Sequence, residues 1–251
     1  MIPKKIHYCW FGGNPLPPLA SKCIESWKKY LPDYEIIEWN ENNFDVNKVN
    51  YTKEAYEAKK WAFVSDYARF KILYEHGGVY FDTDVEIIKD MSYILETGAF
   101  MGCETDPDSD HNRTLEVAPG LGLAVEPGHE LYKEILEDYE KSHFLKSDGT
   151  LDLTTIVHRT TRILELHDLQ QKNCIQNICG INIYPKEYFN PIEMQSGKLV
   201  ITDKTVSIHH YMASWVPAKE KFRGKVYHLI HRILGEKIAK FARKILGKKG
   251  K

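Results

Sequence analysis

The chain has 251 residues and 43% apolar side chains, enough for one large domain or a domain with a small extension. Five scattered cysteines (Cys9, Cys23, Cys103, Cys174 and Cys179) argue against a disulfide scaffold or a four-ligand zinc site and for a reduced, cytosolic compartment. The net charge of −1 hides an asymmetry: residues 219–251 carry 12 Lys/Arg against 2 Glu, leaving 22 basic and 33 acidic residues in 1–218, which points away from general nucleic-acid binding.

Residues 5–10 (KIHYCW) read as a first strand, and no signal-peptide pattern precedes it. Gly12-Gly13 then allow a ligand close to the backbone. Helix is expected over 19–30, strand over 34–39 and a short polar helix over 52–60. That alternation predicts an α/β layer architecture. No dinucleotide fingerprint or P-loop is present.

The stretch that organises the chain is WAFVSDYARFKILYEHGGVYFDTDVEII, residues 61–88. Phe63, Tyr67, Phe70 and Leu73 keep a helical period, and Gly77-Gly78 are expected to stop the helix with a left-handed residue. Val79, Tyr80 and Phe81 are strand formers, with Asp82-Thr83-Asp84 directly after them. On a strand, both aspartates would share one face. Buried carboxylates need compensation, and a divalent cation is the usual one.

The string S-D-x-x-R-x-x-x-L-x-x-x-G-G-x-Y-x-D-x-D resembles the DXD-motif sugar-transferase family. It comprises Ser65, Asp66, Arg69, Leu73, Gly77, Gly78, Tyr80, Asp82 and Asp84. The family includes yeast initiating mannosyltransferases, bacterial capsule and lipopolysaccharide transferases and, distantly, the large clostridial glucosylating toxins. The resemblance extends to IPKKIHYCWFGG, IYPKEYFNPI and HHYMASW, and is thin between about 105 and 180. It implies a GT-A type α/β fold with a mixed central sheet over 1–217, followed by a basic amphipathic extension over 218–251. It implies catalytic roles for Asp66, Arg69, Asp82 and Asp84. Trp10 would stack on the base, while Ser65, Asp66, Arg69, Asp82, Ser214 and Trp215 would contact the nucleotide sugar. Without the resemblance, Asp66 and Arg69 read equally as an i,i+3 surface pair, and Trp10 as a core residue.

Mn²⁺ or Mg²⁺ is the implied cofactor. Asp84 would be its direct ligand, and Asp82 a ligand through water or a contact to ribose or sugar. His209 and His210 must face opposite ways on the late strand expected over 206–210. Spacing to Trp215 in the related folds selects His210 as the third ligand. An imidazole favours Mn²⁺ over Mg²⁺. Asp106, Asp108 and Asp110 begin like a calcium loop, but the sixth loop position is His111 and the twelfth is Val117, so no metal is assigned there.

The expected partners are a nucleotide sugar, with UDP preferred and GDP an open alternative, and a glycan acceptor, in lipid-linked form where the acceptor is membrane-bound. Helices are also expected over 129–142 and 151–166, and a strand over 181–184. Over 222–246, apolar residues recur at helical spacing among lysines and arginines, a pattern suited to an anionic membrane surface. The expected location is cytoplasmic, peripheral on the inner face of the cytoplasmic membrane.

Overall fold

The computed structural model describes residues 1–108, 113–193 and 196–212, and beyond them 223, 226, 227, 229 and 230. Three parallel strands set the frame. β1 (Lys5–Cys9) lies between β2 (Glu35–Trp39) and β3 (Gly78–Tyr80), in register Cys9 with Trp39 and His7 with Tyr80. Their carboxyl ends therefore open on one edge. In α/β sheets that edge is where ligands bind.

Helix α1 (Pro18–Tyr30) starts on a proline, whose fixed φ suits a first helical turn, and buries Ala20, Cys23, Ile24 and Trp27 along one stripe. Helix α2 (Asn50–Glu57) leads into α3 (Trp61–His76). α3 is buried on nearly all sides, through Val64, Asp66, Tyr67, Ala68, Arg69, Phe70, Ile72 and Leu73. A surface pairing of Asp66 with Arg69 is thereby excluded. α3 ends at Gly77, whose φ of 61° and ψ of −166° differ from the expected left-handed helical stop and are open only to glycine. A Cβ there would lie 2.6 Å from Pro127, and one on Gly78 would lie 2.7 Å from the Lys5 carbonyl. Both glycines are needed to bring β3 against β1.

β4 (Val85–Ile87) leaves the main sheet, because Trp27 Nε1 donates to the Val85 carbonyl at 2.7 Å and Ser26 Oγ accepts from the Ile87 amide. After the short α4 (Ser92–Glu96) come β5 (Phe100–Thr105), β6 (Glu116–Val117) and β7 (Leu123–Val125). Helices α5 (Glu130–Glu140) and α6 (Ile156–Leu166) precede β8 (Gln176–Ile178), β9 (Ile181–Tyr184) and β10 (Ser207–His209).

The sheet runs β2-β1-β3-β7-β5-β9-β8, with β6 on β5. β7 is antiparallel to β3 and β5, while β9 is parallel to β5. This is the expected mixed α/β sheet. One apolar cluster packs α3, α5 and α6 on it, and a second packs α1 and β4. β10 pairs antiparallel with β4 alone, in register His209 with Val85. The helix expected over 222–246 lies outside the described residues, except that Arg223, Val226, Tyr227, Leu229 and Ile230 are helical. Among the described residues no helix is long and apolar enough to cross a membrane.

His7 ties this frame together. It is fully buried, with Trp39 Nε1 donating to its Nδ1 at 3.0 Å and its Nε2 3.0 Å from the Gly77 carbonyl. Accepting at one nitrogen and donating at the other requires the neutral ring. Burial, with smaller contributions from His76 and Lys5, lowers its pKa from 6.5 to about 4. The unfolded chain therefore binds more protons between those values. The stability contributed by His7 is complete above its unfolded pKa and is lost as pH falls toward the folded one. Denaturant unfolding of wild type and His7→Gln checks this. The advantage of the wild type is expected to shrink by about 2–3 kcal/mol between pH 7 and pH 4.5.

Candidate active site

Helix α3 carries a buried charge clamp. Arg69 Nη2 lies 3.0 Å from Asp66 Oδ1, and Nη1 lies 3.1 Å from Asp82 Oδ1. Arg69 Nε donates to the Ser65 carbonyl, and the guanidinium sits 4.8 Å from the centre of the Tyr80 ring. A planar, permanently charged fork is the side chain that can serve two carboxylates and a ring face together. Burial drives the Asp66 carboxyl above the usual range, although Arg69 opposes this. Among the described residues, Arg69 Nη1 is buried with no hydrogen-bond partner, since its approach to Asp82 is ionic without hydrogen-bond geometry.

The two aspartates of the motif do not alternate along a strand, as the sequence suggested. β3 stops at Tyr80, and Asp82-Thr83-Asp84 form a turn closed by the Val85 amide on the Asp82 carbonyl at 3.0 Å. Aspartate favours turns over strands, so local preference prevails here. Asp82 is the more open of the two, its side chain 29% exposed. Its carboxylate accepts from the Tyr80 hydroxyl at 3.2 Å. Its amide donates to the Gly120 carbonyl at 3.1 Å. A Cβ on Gly120 would fall 2.1 Å from Asp82 Oδ2 and 3.3 Å from Arg69 Nη1, so only glycine admits the carboxylate there.

Asp84 is wrapped by the end of β10. His209 Nε2 lies 3.0 Å from Asp84 Oδ1, the Met212 amide donates to Oδ2 at 2.7 Å, and the His210 amide donates to the Asp84 carbonyl at 2.9 Å. Burial pushes the Asp84 carboxyl up, but His209 and the Met212 amide outweigh it and hold it below the usual range. Burial lowers the His209 ring and Asp84 more than compensates, so it sits above its ordinary value.

The third group beside the aspartates is therefore His209. His210, selected from its spacing to Trp215, points the other way and bonds Glu86 at 2.8 Å, which also holds Lys22. Ligand atoms of Asp82, Asp84 and His209 lie within 4.8 Å of one another. Among the described residues, His209 Nδ1 is likewise buried without a hydrogen-bond partner. Two hard carboxylates with one imidazole suit a divalent cation.

Trp10 follows β1 at the carboxyl edge, its indole donating to the Asn14 carbonyl at 2.6 Å. The Ser65 hydroxyl bonds back to the Trp61 carbonyl on its own helix. Ser214 and Trp215 lie outside the described residues. In the acidic loop, Asp106 accepts from the Lys186 amide and Asp108 from Arg113, while Asp110 lies outside the described residues. Sequence reading missed Gly120, whose only trace was a Pro-Gly pair, and the Met212 amide, which left none.

Residues 17–101 match the family described as glycosyltransferase sugar-binding region containing DXD motif. The chain is 29% identical over 143 residues to inositol phosphoceramide mannosyltransferase 1 of Schizosaccharomyces pombe, covering 53% of this chain and 43% of that protein. The chain thus spans less than half the length of that relative. It is 24% identical over 226 residues to an uncharacterized glycosyltransferase of Acanthamoeba polyphaga mimivirus, covering 86% of this chain and 85% of that protein. Among solved structures, PaToxG glycosyltransferase shares 18% identity over 66% of this chain and 69% of its own, with a TM-score of 0.45. Residues 17–101, which hold the Asp66–Arg69 clamp and both motif aspartates, are the part of the chain that is similar to the sugar-binding region of DXD-motif glycosyltransferases.

Proposed function

We propose that the chain is a metal-dependent, retaining glycosyltransferase. It moves a hexose from a nucleotide sugar, UDP-linked, to a glycan acceptor in capsular or lipopolysaccharide biosynthesis. The observation that carries this reading is the convergence of Asp82, Asp84, His209 and the Arg69 clamp at the carboxyl edge of β1 and β3. Asp82, Asp84 and His209 would hold Mn²⁺ or Mg²⁺, which supplies positive charge to a departing diphosphate. Nη1 of Arg69, ion-paired with Asp82 but making no hydrogen bond among the described residues, is a preorganised donor for a phosphate oxygen or a sugar hydroxyl. Asp66 keeps that guanidinium from turning away and hydrogen-bonds it from the far side. Trp10 offers an aromatic platform to the base. No carboxylate stands out as a covalent nucleophile, so departure and attack are assigned to one face of the sugar.

A membrane-bound, lipid-linked acceptor would bring the basic residues of 219–251 into use, since such a segment is attracted to anionic lipids. The fission-yeast relative is named for a lipid, inositol phosphoceramide. The corresponding location is the inner face of the cytoplasmic membrane.

Calorimetry of Mn²⁺ and UDP on three proteins tests the site. His209→Ala is expected to weaken Mn²⁺ binding at least 10–100-fold, on the scale of disturbed metal shells, and His210→Ala to stay near wild type. The opposite pattern would restore His210 as the ligand. Absence of UDP and Mn²⁺ binding in the wild type would remove the metal-dependent reading.

A further inference from the structure

We propose that Tyr211 is a positioning residue for His209 and Asp84, and that Glu104 and Asn190 anchor it to the central sheet. The inference rests on the metal-dependent reading only for its consequence, not for its geometry. Tyr211 has a φ of +48°, the left-handed region that a large L side chain rarely adopts. Such backbone persists where surrounding contacts over-determine it, and it clusters at functional sites.

The contacts here are specific. The left-handed residue turns the chain as it leaves β10, so the amides on either side of it, His210 and Met212, both reach Asp84. The Tyr211 ring packs edge-on to the His209 ring at 4.3 Å between centroids. Its hydroxyl accepts from Asn190 Nδ2 at 2.7 Å and faces the Glu104 carboxylate. Asn190 is fully buried, and its amide group is oriented by a second bond, to the Glu104 carbonyl at 3.0 Å. Glu104 lies in β5, inside the main sheet.

One continuous path therefore runs from the rigid sheet through Glu104, Asn190 and the Tyr211 hydroxyl to the ring that confines His209. Among the described residues β10 pairs as a strand only with β4, outside the main sheet, so strand pairing does not tie it to that sheet. Among the described residues His209 bonds Asp84 through Nε2, and its Nδ1 has no hydrogen-bond partner. A ring free to swing would lose that bond, and with it the fixed separation of the three groups beside the turn.

The test uses the full chain and the variants Tyr211→Phe, Tyr211→Gly, Glu104→Gln and Glu104→Leu. Nitrogen NMR of the metal-free protein reads the His209 ring, electron paramagnetic resonance reads Mn²⁺ affinity, and donor turnover separates kcat from KM. Y211G relieves the backbone and removes the ring. It is expected to lose the slowly exchanging Nε2 proton, weaken Mn²⁺ binding more than 10-fold and lower kcat more than it raises KM. Y211F and E104L should show a smaller loss of about 3–10-fold in Mn²⁺ affinity, and E104Q, which keeps an acceptor for the hydroxyl, should stay near wild type. A merely structural role would lower thermal stability and leave the His209 signal in place. Wild-type His209 signals and Mn²⁺ affinity in Y211G would overturn the proposal. Should Y211G fail to fold, the same result in both Y211F and E104L would overturn it. If wild type binds no Mn²⁺ while Y211G still loses the His209 signal, the positioning role stands and the metal reading fails.

Discussion

Arg69→Met is expected to remove most activity and a large part of the stability at once. The guanidinium is 4% exposed and faces Asp66 on one side and Asp82 on the other. Removing it leaves a buried carboxylate without its cation. Breaking a buried pair in this way costs about 3–5 kcal/mol, more than replacing both partners. Turnover should fall on the order of 10²–10³-fold from loss of the donor aimed at developing negative charge. Arg69→Lys separates the two effects. Lysine keeps the charge but cannot serve both carboxylates, so stability recovers in part while turnover stays low. Thermal unfolding and donor turnover measured on both variants check this. An R69M protein of wild-type stability would contradict the buried clamp.

Gly120→Ala is expected to disable the site while sparing the fold. The added methyl would meet Asp82 Oδ2 at 2.1 Å, and the carboxylate cannot yield freely, because Tyr80 and Arg69 both hold Oδ1. Asp82 must swing outward, opening the Asp82–Asp84–His209 group. Overpacking of this kind costs about 1–3 kcal/mol. The larger effect is geometric: a misplacement of about 1 Å at reacting groups costs about 10²-fold in rate. G120A should therefore fold with a modest fall in Tm, bind Mn²⁺ more weakly and turn over donor at about 1% of wild type or less. Wild-type turnover in G120A would show that the position of Asp82 does not matter.

Much of the proposed donor side was legible in the sequence because it is local. A single helix sets Asp66 and Arg69 three residues apart, two glycines stop it, and the aspartates follow within six residues. That Asp66 and Arg69 are buried was not legible. α3 carries apolar residues around most of its surface, and only the arrival of α5, α6 and the sheet covers its polar ones. The pairing of β10 was illegible for a different reason. Strand periodicity states that His209 and His210 face opposite ways, but not which way. The phase is fixed by the register of His209 on Val85, a contact 124 residues distant in the chain. Spacing to Trp215 could not replace it. The turn at Asp82–Asp84 was misread as strand because alternation and turn both bring the two carboxylates together. β5 was missed because its apolar run is cut by Gly102, a residue required by the Phe189 ring that would lie 2.7 Å from a Cβ there. Gly120 and Tyr211 act through contacts that no local pattern records.

The most direct measurement is diphosphate release from a panel of UDP- and GDP-sugars, with and without Mn²⁺, by wild type and Asp84→Asn. The expected result is metal-dependent release from one donor, lost in D84N, which identifies the sugar in the same experiment. Release that is indifferent to Mn²⁺ and to D84N, or no release together with no binding of UDP and Mn²⁺, would contradict a metal-dependent donor site at Asp82, Asp84 and His209.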